Sequence, residues 1–119
     1  IYFGLVKAYH GDAIDYDDET RIVWARIPHF FGTPYYVYQY ATCYASSAEI
    51  LRQIDEAPAG AHHAAVERYL SLLAAGGSDH PMTLLQRAGV DLSQPHTVQA
   101  VVHQLDVLVS QLEAAVGSL

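Results

Sequence analysis

The fold is decided by the last long stretch of the chain, residues 95–116, which reads PHTVQAVVHQLDVLVSQLEAAV. Its apolar side chains recur three and four residues apart, at Val98, Val101, Val102, Leu105, Leu108, Val109, Leu112 and Val116. That spacing places them on one side of an α-helix, because an α-helix has about 3.6 residues per turn. Pro95 is well tolerated at the first helical position. The stretch therefore predicts a long amphipathic helix with one buried stripe.

Three further helices are expected before this one. Thr33 followed by Pro34 indicates a helix cap and a first helical position, where the missing N–H of proline does no harm. The expected ranges are residues 34–56, 61–75 and 81–88, with glycine or proline at the breaks between them. No alternating run of apolar and polar residues bounded by hairpin dipeptides is present. The fold class is therefore predicted to be all-α, with about four helices after an irregular N-terminal third.

The composition of the 119-residue chain excludes several classes of protein. With 51% hydrophobic and 16% charged residues, it predicts a packed domain rather than a disordered segment. The formal charge of −7 disfavours nucleic acid and anionic membranes as partners, because both require clustered lysine and arginine. Neither a membrane span nor a signal peptide is expected. The chain begins at Ile1 without an initiator methionine, which is compatible with a piece of a longer protein.

The single cysteine, Cys43, excludes an internal disulfide and a zinc module built from several cysteines. We expect it to be a small buried thiol rather than a nucleophile. The acidic residues between positions 12 and 19 are interpreted as a solvated loop before a helix start. His63 and Glu67 are interpreted as an exposed pair one helical turn apart, so neither feature predicts a metal site.

The aromatic stretch at residues 24–44, WARIPHFFGTPYYVYQYATCY, is the most informative about function. If the chain is helical from residue 34, its tyrosines fall into two nearly opposite groups. The group expected to face the core, with its neighbours, is Tyr36, Tyr40, Tyr44, Cys43 and Leu51. The group expected on the polar face, with its neighbours, is Tyr35, Tyr38, Ser46 and Glu49. Two phenols on a polar face need an explanation beyond packing within this chain.

Two explanations are open for Tyr35 and Tyr38. They pack against another chain or a missing domain, or they are O–H donors at the rim of a cleft. In the second case His29 lies just before them on a loop bounded by proline and glycine. Such donors suit the negative charge that develops on a peptide carbonyl oxygen during acyl transfer.

Several segments resemble oligoendopeptidase F, a bacterial branch of the thimet-oligopeptidase family of zinc metallopeptidases. They are YHGDA at 9–13, WARIPHFF at 24–31, YYVYQYAT at 35–42, YLSLLAAGGS at 69–78 and LLQRAGVD at 84–91. The resemblance implies an all-helical catalytic region that encloses a substrate channel and hydrolyses short peptides in the bacterial cytoplasm. It makes residues 1–119 the C-terminal part of a helical metallopeptidase catalytic domain.

The resemblance also implies roles for three residues. By motif position His29 would be the substrate-binding histidine, and Tyr35 and Tyr38 the tyrosines that hold substrate, with Tyr38 preferred as the oxyanion donor. The family holds zinc with a His-Glu-x-x-His helix and a later glutamate, yet no histidine here is followed by glutamate. We therefore expect zinc in the full-length enzyme, none bound by this chain, and no peptide cleavage by this chain alone.

The expected partners are short peptide substrates and the upstream portion of the same peptidase. Apolar surface meant for that portion should remain exposed, with self-association as a further expectation. A second hypothesis is a stand-alone helical module that binds peptides or other proteins without catalysis. A His-Glu-x-x-His motif upstream in the same reading frame would distinguish the first hypothesis from the second.

Overall fold

The computed structural model of the chain describes residues 1–117, so the last two residues of the predicted 1–119 range lie outside the described part. Its helices are α1 (Tyr2–His10), a 3₁₀ helix (Glu19–Arg26), α2 (His29–Gly32), α3 (Tyr38–Asp55), α4 (His62–Ala75), α5 (Pro81–Arg87) and α6 (Pro95–Val116). No strand occurs within residues 1–117, and the predicted all-α fold is confirmed. No helix in this part is long and apolar enough to cross a bilayer.

The four helices expected in the last two thirds of the chain are α3, α4, α5 and α6. Helix α6 has the bounds expected from its periodicity, and α5 begins at the predicted proline. His80 caps α5, because its Nδ1 atom accepts a hydrogen bond from the Met82 N–H at 3.4 Å. The N-terminal third, expected to be irregular, contains the three short helical segments joined by loops.

The predicted start of α3 at Pro34 is wrong, since the helix begins at Tyr38. Tyr35 has a φ of 61°, which is left-handed backbone that a right-handed helix cannot contain. The Tyr36 N–H donates to the Thr33 carbonyl at 3.3 Å and closes a turn with Pro34 and Tyr35 at its centre. Proline followed by a residue of positive φ is typical of a type II turn. The Thr-Pro pair is therefore a turn signal here rather than a helix start.

The chain divides into two compact units, Ile1–Tyr38 and the part from Gln39 onward. In the first unit α1 packs on the 3₁₀ helix. The ring of Phe3 meets the edge of Tyr16 at 5.8 Å between centroids. The Lys7 ammonium and the Arg21 guanidinium lie 4.8 and 4.3 Å from the centroid of the Phe3 ring. Cation–π and ring contacts therefore hold this unit together.

The second unit has a core of small side chains and satisfied polar groups. Its buried apolar residues are Ala45, Ala48, Ala65, Leu84, Ala88, Val90 and Ala100. Glu49 is only 2% exposed, and its carboxylate accepts hydrogen bonds from Arg52 at 2.7 and 2.9 Å and from Gln53 at 2.9 Å. Gln53 also donates to the Gly89 carbonyl at 2.8 Å, which ties α3 to the end of α5. Burial of the Glu49 carboxylate is tolerated because it is paired and hydrogen-bonded.

The predicted burial of the apolar stripe of α6 is wrong in this structure. Leu105 is 60% exposed and Leu112 is 63% exposed, while the buried residues of the helix are Thr97 and Ala100. Thr97 is held by a hydrogen bond from its hydroxyl to the Asp91 carbonyl at 2.7 Å. The helix therefore packs through small side chains that project to one side of the stripe.

The predicted core face of α3 is wrong as well. Tyr40, Tyr44 and Leu51 are exposed, whereas the supposedly polar positions Ser46 and Glu49 are buried. Cys43 is exposed as well, so the expectation of a buried thiol is corrected. The ion pair of Glu49 with Arg52 allows a polar face to form the contact inside this unit.

Candidate functional site

The three residues that the sequence proposes for substrate binding lie around the turn between α2 and α3. His29 is the first residue of α2, Tyr35 is at the centre of the turn, and Tyr38 is the first residue of α3. The Thr33 N–H donates to the His29 carbonyl at 3.1 Å and ends α2. The turn at residues 33–36 then reverses the direction of the chain before α3.

The ring contact that the structure shows for His29 is with Tyr36. The two rings stack with 5.1 Å between centroids and 22° between planes. This contact holds the half-buried imidazole in one orientation, because stacked rings restrict each other's side-chain torsions. Sequence reasoning placed Tyr36 on the core face of α3 and missed this role. The signal that could have found it is the Thr-Pro-Tyr turn, which folds residue 36 back toward α2.

Tyr35 and Tyr38 both have solvent-exposed rings. Tyr35 is 93% exposed and Tyr38 is 63% exposed, so both phenol groups are accessible to a ligand. Tyr35 keeps its left-handed backbone although it is a bulky residue that rarely adopts it. Strained conformations of this kind often occur where function fixes a side chain. Both phenols are exposed as predicted, but exposure does not separate the two groups of tyrosines, because Tyr40 and Tyr44 are exposed as well.

An aromatic cluster lies beside His29 in the sequence, and the ring contacts within it were not predicted. The Trp24 and Phe31 rings stack at 6.0 Å with 26° between planes, and Phe30 meets Trp24 edge-on at 6.1 Å. Both phenylalanines remain exposed. The cluster fixes α2 against the end of the 3₁₀ helix and presents apolar surface next to the histidine. Its sequence signal is the Trp-x₅-Phe-Phe spacing around Pro28.

The described residues do not form a zinc site. Within residues 1–117 no group of three or more histidine, cysteine, aspartate or glutamate side chains could hold a metal ion. The His63 and Glu67 pair has its nitrogen and oxygen 3.8 Å apart on an exposed face and offers two donors. A catalytic zinc usually has three protein ligands. The donor set of this part of the chain therefore does not fit a catalytic zinc ion.

A groove of about 260 Å³ lies between α3 and α6, away from these tyrosines in the sequence. Its lining residues are Ala48, Leu51, Arg52, Asp55, Glu56, Ala100, His103, Gln104, Val107, Leu108 and Gln111. Arg52 donates from one side to Glu49 and from the other to Glu56 at 2.9 Å. The hydrogen bonds from Arg52 hold the pKa of Glu49 below its usual range, and those carboxylates raise the pKa of Arg52. The groove is therefore bordered by a fixed charge network.

Comparison with known proteins gives a consistent family. The sequence model of peptidase family M3 matches residues 1–103. The chain is 37% identical over 115 residues to oligopeptidase PepF of Bacillus subtilis, covering 95% of this chain and 16% of that protein. It is 37% identical over 102 residues to an oligoendopeptidase F homolog of Borreliella burgdorferi, covering 86% of this chain and 16% of that protein.

A third similar protein is the group B oligopeptidase PepB of Streptococcus agalactiae. It is 32% identical over 117 residues, which cover 98% of this chain and 19% of that protein. The chain thus spans less than a fifth of the length of these curated relatives. No solved structure matches the chain.

Proposed function

Since the chain belongs to peptidase family M3, we propose that it is the C-terminal, substrate-binding segment of an oligoendopeptidase F-like zinc metalloendopeptidase. The enzyme hydrolyses short peptides in the cytoplasm. The observation that supports this function most is the family match over residues 1–103, since it includes the turn at residues 29–38 with its two exposed phenols. The peptide substrate and the upstream portion of the polypeptide are the partners of this segment.

In this proposal His29 binds the backbone of the peptide. Its ring stacks on Tyr36, and this contact fixes the orientation of the imidazole that would meet the peptide. Binding energy from such a contact orients the scissile bond before reaction. Tyr36 acts as a positioning residue for His29.

Tyr38 and Tyr35 donate their phenolic O–H groups to the carbonyl oxygen of the scissile peptide. That oxygen gains negative charge when the carbonyl carbon becomes tetrahedral, and a donor that is already in place stabilises it. Exposure of both rings supports this role, since a phenol with its hydroxyl buried in a core could not reach a substrate. Tyr38 is the preferred donor because it is anchored on an 18-residue helix, whereas Tyr35 lies in a turn.

The zinc ion and its general base belong to the upstream portion in this proposal. The chain lacks a His-Glu-x-x-His motif, and its described residues lack a three-ligand cluster. We therefore propose that the chain alone does not hydrolyse peptides. Robust peptide turnover by the isolated chain with added zinc, abolished by a chelator, would contradict this part.

The role of Tyr38 is tested by Tyr38→Phe in the full-length peptidase. We expect kcat to fall by roughly 10²–10³, which is the usual loss when one oxyanion donor is removed. The measurement is steady-state hydrolysis of a fluorogenic peptide with zinc present. Tyr44→Phe is the matched control, since Tyr44 is another exposed phenol of α3 outside the proposed site. An unchanged kcat for Tyr38→Phe would remove Tyr38 from the mechanism.

A further inference from the structure

The second unit leaves the large apolar side chains of α6 in solvent. Those on one side of the helix are Val98, Val102, Leu105, Leu108, Val109, Leu112 and Val116, while Val107, also exposed, lines the groove. At about 100° per residue these side chains cluster around the direction of Leu105, whereas the buried residues Thr97 and Ala100 project roughly 100° away. A helix of a folded protein normally buries its widest apolar side. The exposed stripe therefore lacks the surface that would cover it.

One residue of this stripe also borders the groove that α6 forms with α3. Leu108 of α6 and Leu51 of α3 both line the groove, and both are about half exposed. Ala48 and Ala100 also line it, and their small side chains leave a volume of about 260 Å³. We call the exposed α6 set together with Leu51 the α3/α6 apolar surface. An exposed apolar helix face beside a groove is typical of a surface that receives a helix.

The border of this surface is acidic. Arg52 is already paired with Glu49 at 2.7 Å and with Glu56 at 2.9 Å. Asp55 also lines the groove and has no ion-pair partner within residues 1–117. Residues 95–116 contain Asp106 and Glu113 but no lysine or arginine. A partner with a basic residue beside its apolar face would therefore match this border in charge.

We infer that the α3/α6 apolar surface packs against an amphipathic helix with a lysine or arginine at its edge, supplied by the remainder of the same peptidase polypeptide. The inference rests on the proposed function. The length of polypeptide outside this chain supports it, because the matched region is only 16% of the Bacillus subtilis relative. A second copy of the chain is a poorer occupant, since its α6 has no lysine or arginine to pair with Asp106 and Glu113.

The test is photocrosslinking within the full-length peptidase. A photoreactive benzoylphenylalanine replaces Leu105, at the centre of the surface, and in a matched control replaces Ser110, an exposed position elsewhere on α6. Mass spectrometry then identifies the peptide joined to each probe. Mixing isotope-labelled and unlabelled protein separates adducts within one polypeptide from adducts between copies.

The expected result is an adduct between position 105 and an upstream helix with a lysine or arginine near the joined residue, and little adduct from position 110. An adduct to a second copy, or equal yields from the two positions, would overturn the inference. Hydrogen exchange gives an independent check: Leu105→Asp should speed exchange of the α6 amides at least about tenfold, and Ser110→Asp should not. Equal exchange in the two variants would also overturn it.

These outcomes are separate from those of the proposed function. An unchanged kcat for Tyr38→Phe would refute the substrate role and leave the crosslink result standing. An adduct between copies would refute the packing and leave the kinetic result standing.

Discussion

The two units of the chain are built in opposite ways. In the first unit large rings contact each other and cations, as Phe3 does with Tyr16, Lys7 and Arg21. In the second unit the buried residues are mostly alanine, with Leu84, Val90, a serine, a threonine and a glutamate, while the large apolar side chains of α6 are mostly exposed. The first unit is held by contacts among rings that remain exposed or half-buried, and the second leaves most of the large apolar side chains of α6 exposed.

This difference indicates that the two units have different roles. Ring contacts in the first unit fix a short turn that presents His29, Tyr35 and Tyr38. Small-residue packing in the second unit brings helices close while leaving their wide faces available. Substitutions that remove the contacts typical of each unit should therefore lower the stability of the chain by different amounts.

The largest effect on stability is expected for Glu49→Ala in the second unit. Removing the buried carboxylate deletes two hydrogen bonds from Arg52 and one from Gln53, and leaves Arg52 paired with Glu56 alone. We expect the free energy of unfolding to fall by about 2 kcal/mol, measured by urea unfolding. Glu56→Ala is the control, since this exposed partner of Arg52 should cost less than about 1 kcal/mol. Equal losses for the two variants would show that burial of Glu49 does not matter.

An intermediate effect is expected from acid. Hydrogen bonds from Arg52 lower the pKa of Glu49 in the folded chain, so the unfolded chain binds this proton more readily. The stabilisation is fully present above the ordinary glutamate pKa of about 4.3 and is lost as pH falls through the lower folded value. The free energy of unfolding, measured with urea, should therefore fall between about pH 5 and about pH 3, the range that brackets the ordinary carboxylate pKa of roughly 4. Glu49→Gln should flatten the curve, and an unchanged slope would contradict the assignment.

The smallest effect is expected for Phe3→Leu in the first unit. Leucine keeps much of the apolar volume but loses the ring that Lys7, Arg21 and Tyr16 contact. We expect the free energy of unfolding of this unit to fall by about 1 kcal/mol, seen as faster proteolysis within residues 1–38. Phe3→Tyr keeps the ring and should behave like the parent chain. If Phe3→Tyr were as sensitive as Phe3→Leu, ring contacts would not be the source of the stability.

Helix existence followed from the sequence more reliably than helix orientation. The periodicity of residues 95–116 and the glycine and proline breaks predict α6, α4 and α5 with nearly correct bounds. The same periodicity predicts which side is apolar, but not whether that side meets this chain or another surface. Thr97 bonds the Asp91 carbonyl, which precedes α6, and Glu49 is linked through Gln53 to the Gly89 carbonyl outside α3, so neither contact is contained in the pattern of a single helix.

For the candidate site, the sequence proposes residues but does not predict their geometry. The motif around His29 identified the histidine and the two phenols, and the structure confirms that both phenols are exposed. The stacking of Tyr36 on His29 could not be predicted while residues 34–38 were assumed helical. The predicted helix at residues 34–38 and the observed turn differ because of Tyr35, whose positive φ turns the chain where a helix was expected.

That left-handed residue has a consequence for how this segment could change over generations. Glycine or asparagine at position 35 would relax the backbone, so a library selected only for heat resistance should enrich those two residues. Each would remove an exposed phenol. A library selected for peptide hydrolysis in the full-length enzyme should instead retain tyrosine there. Selection for stability and selection for activity would therefore favour different residues at position 35.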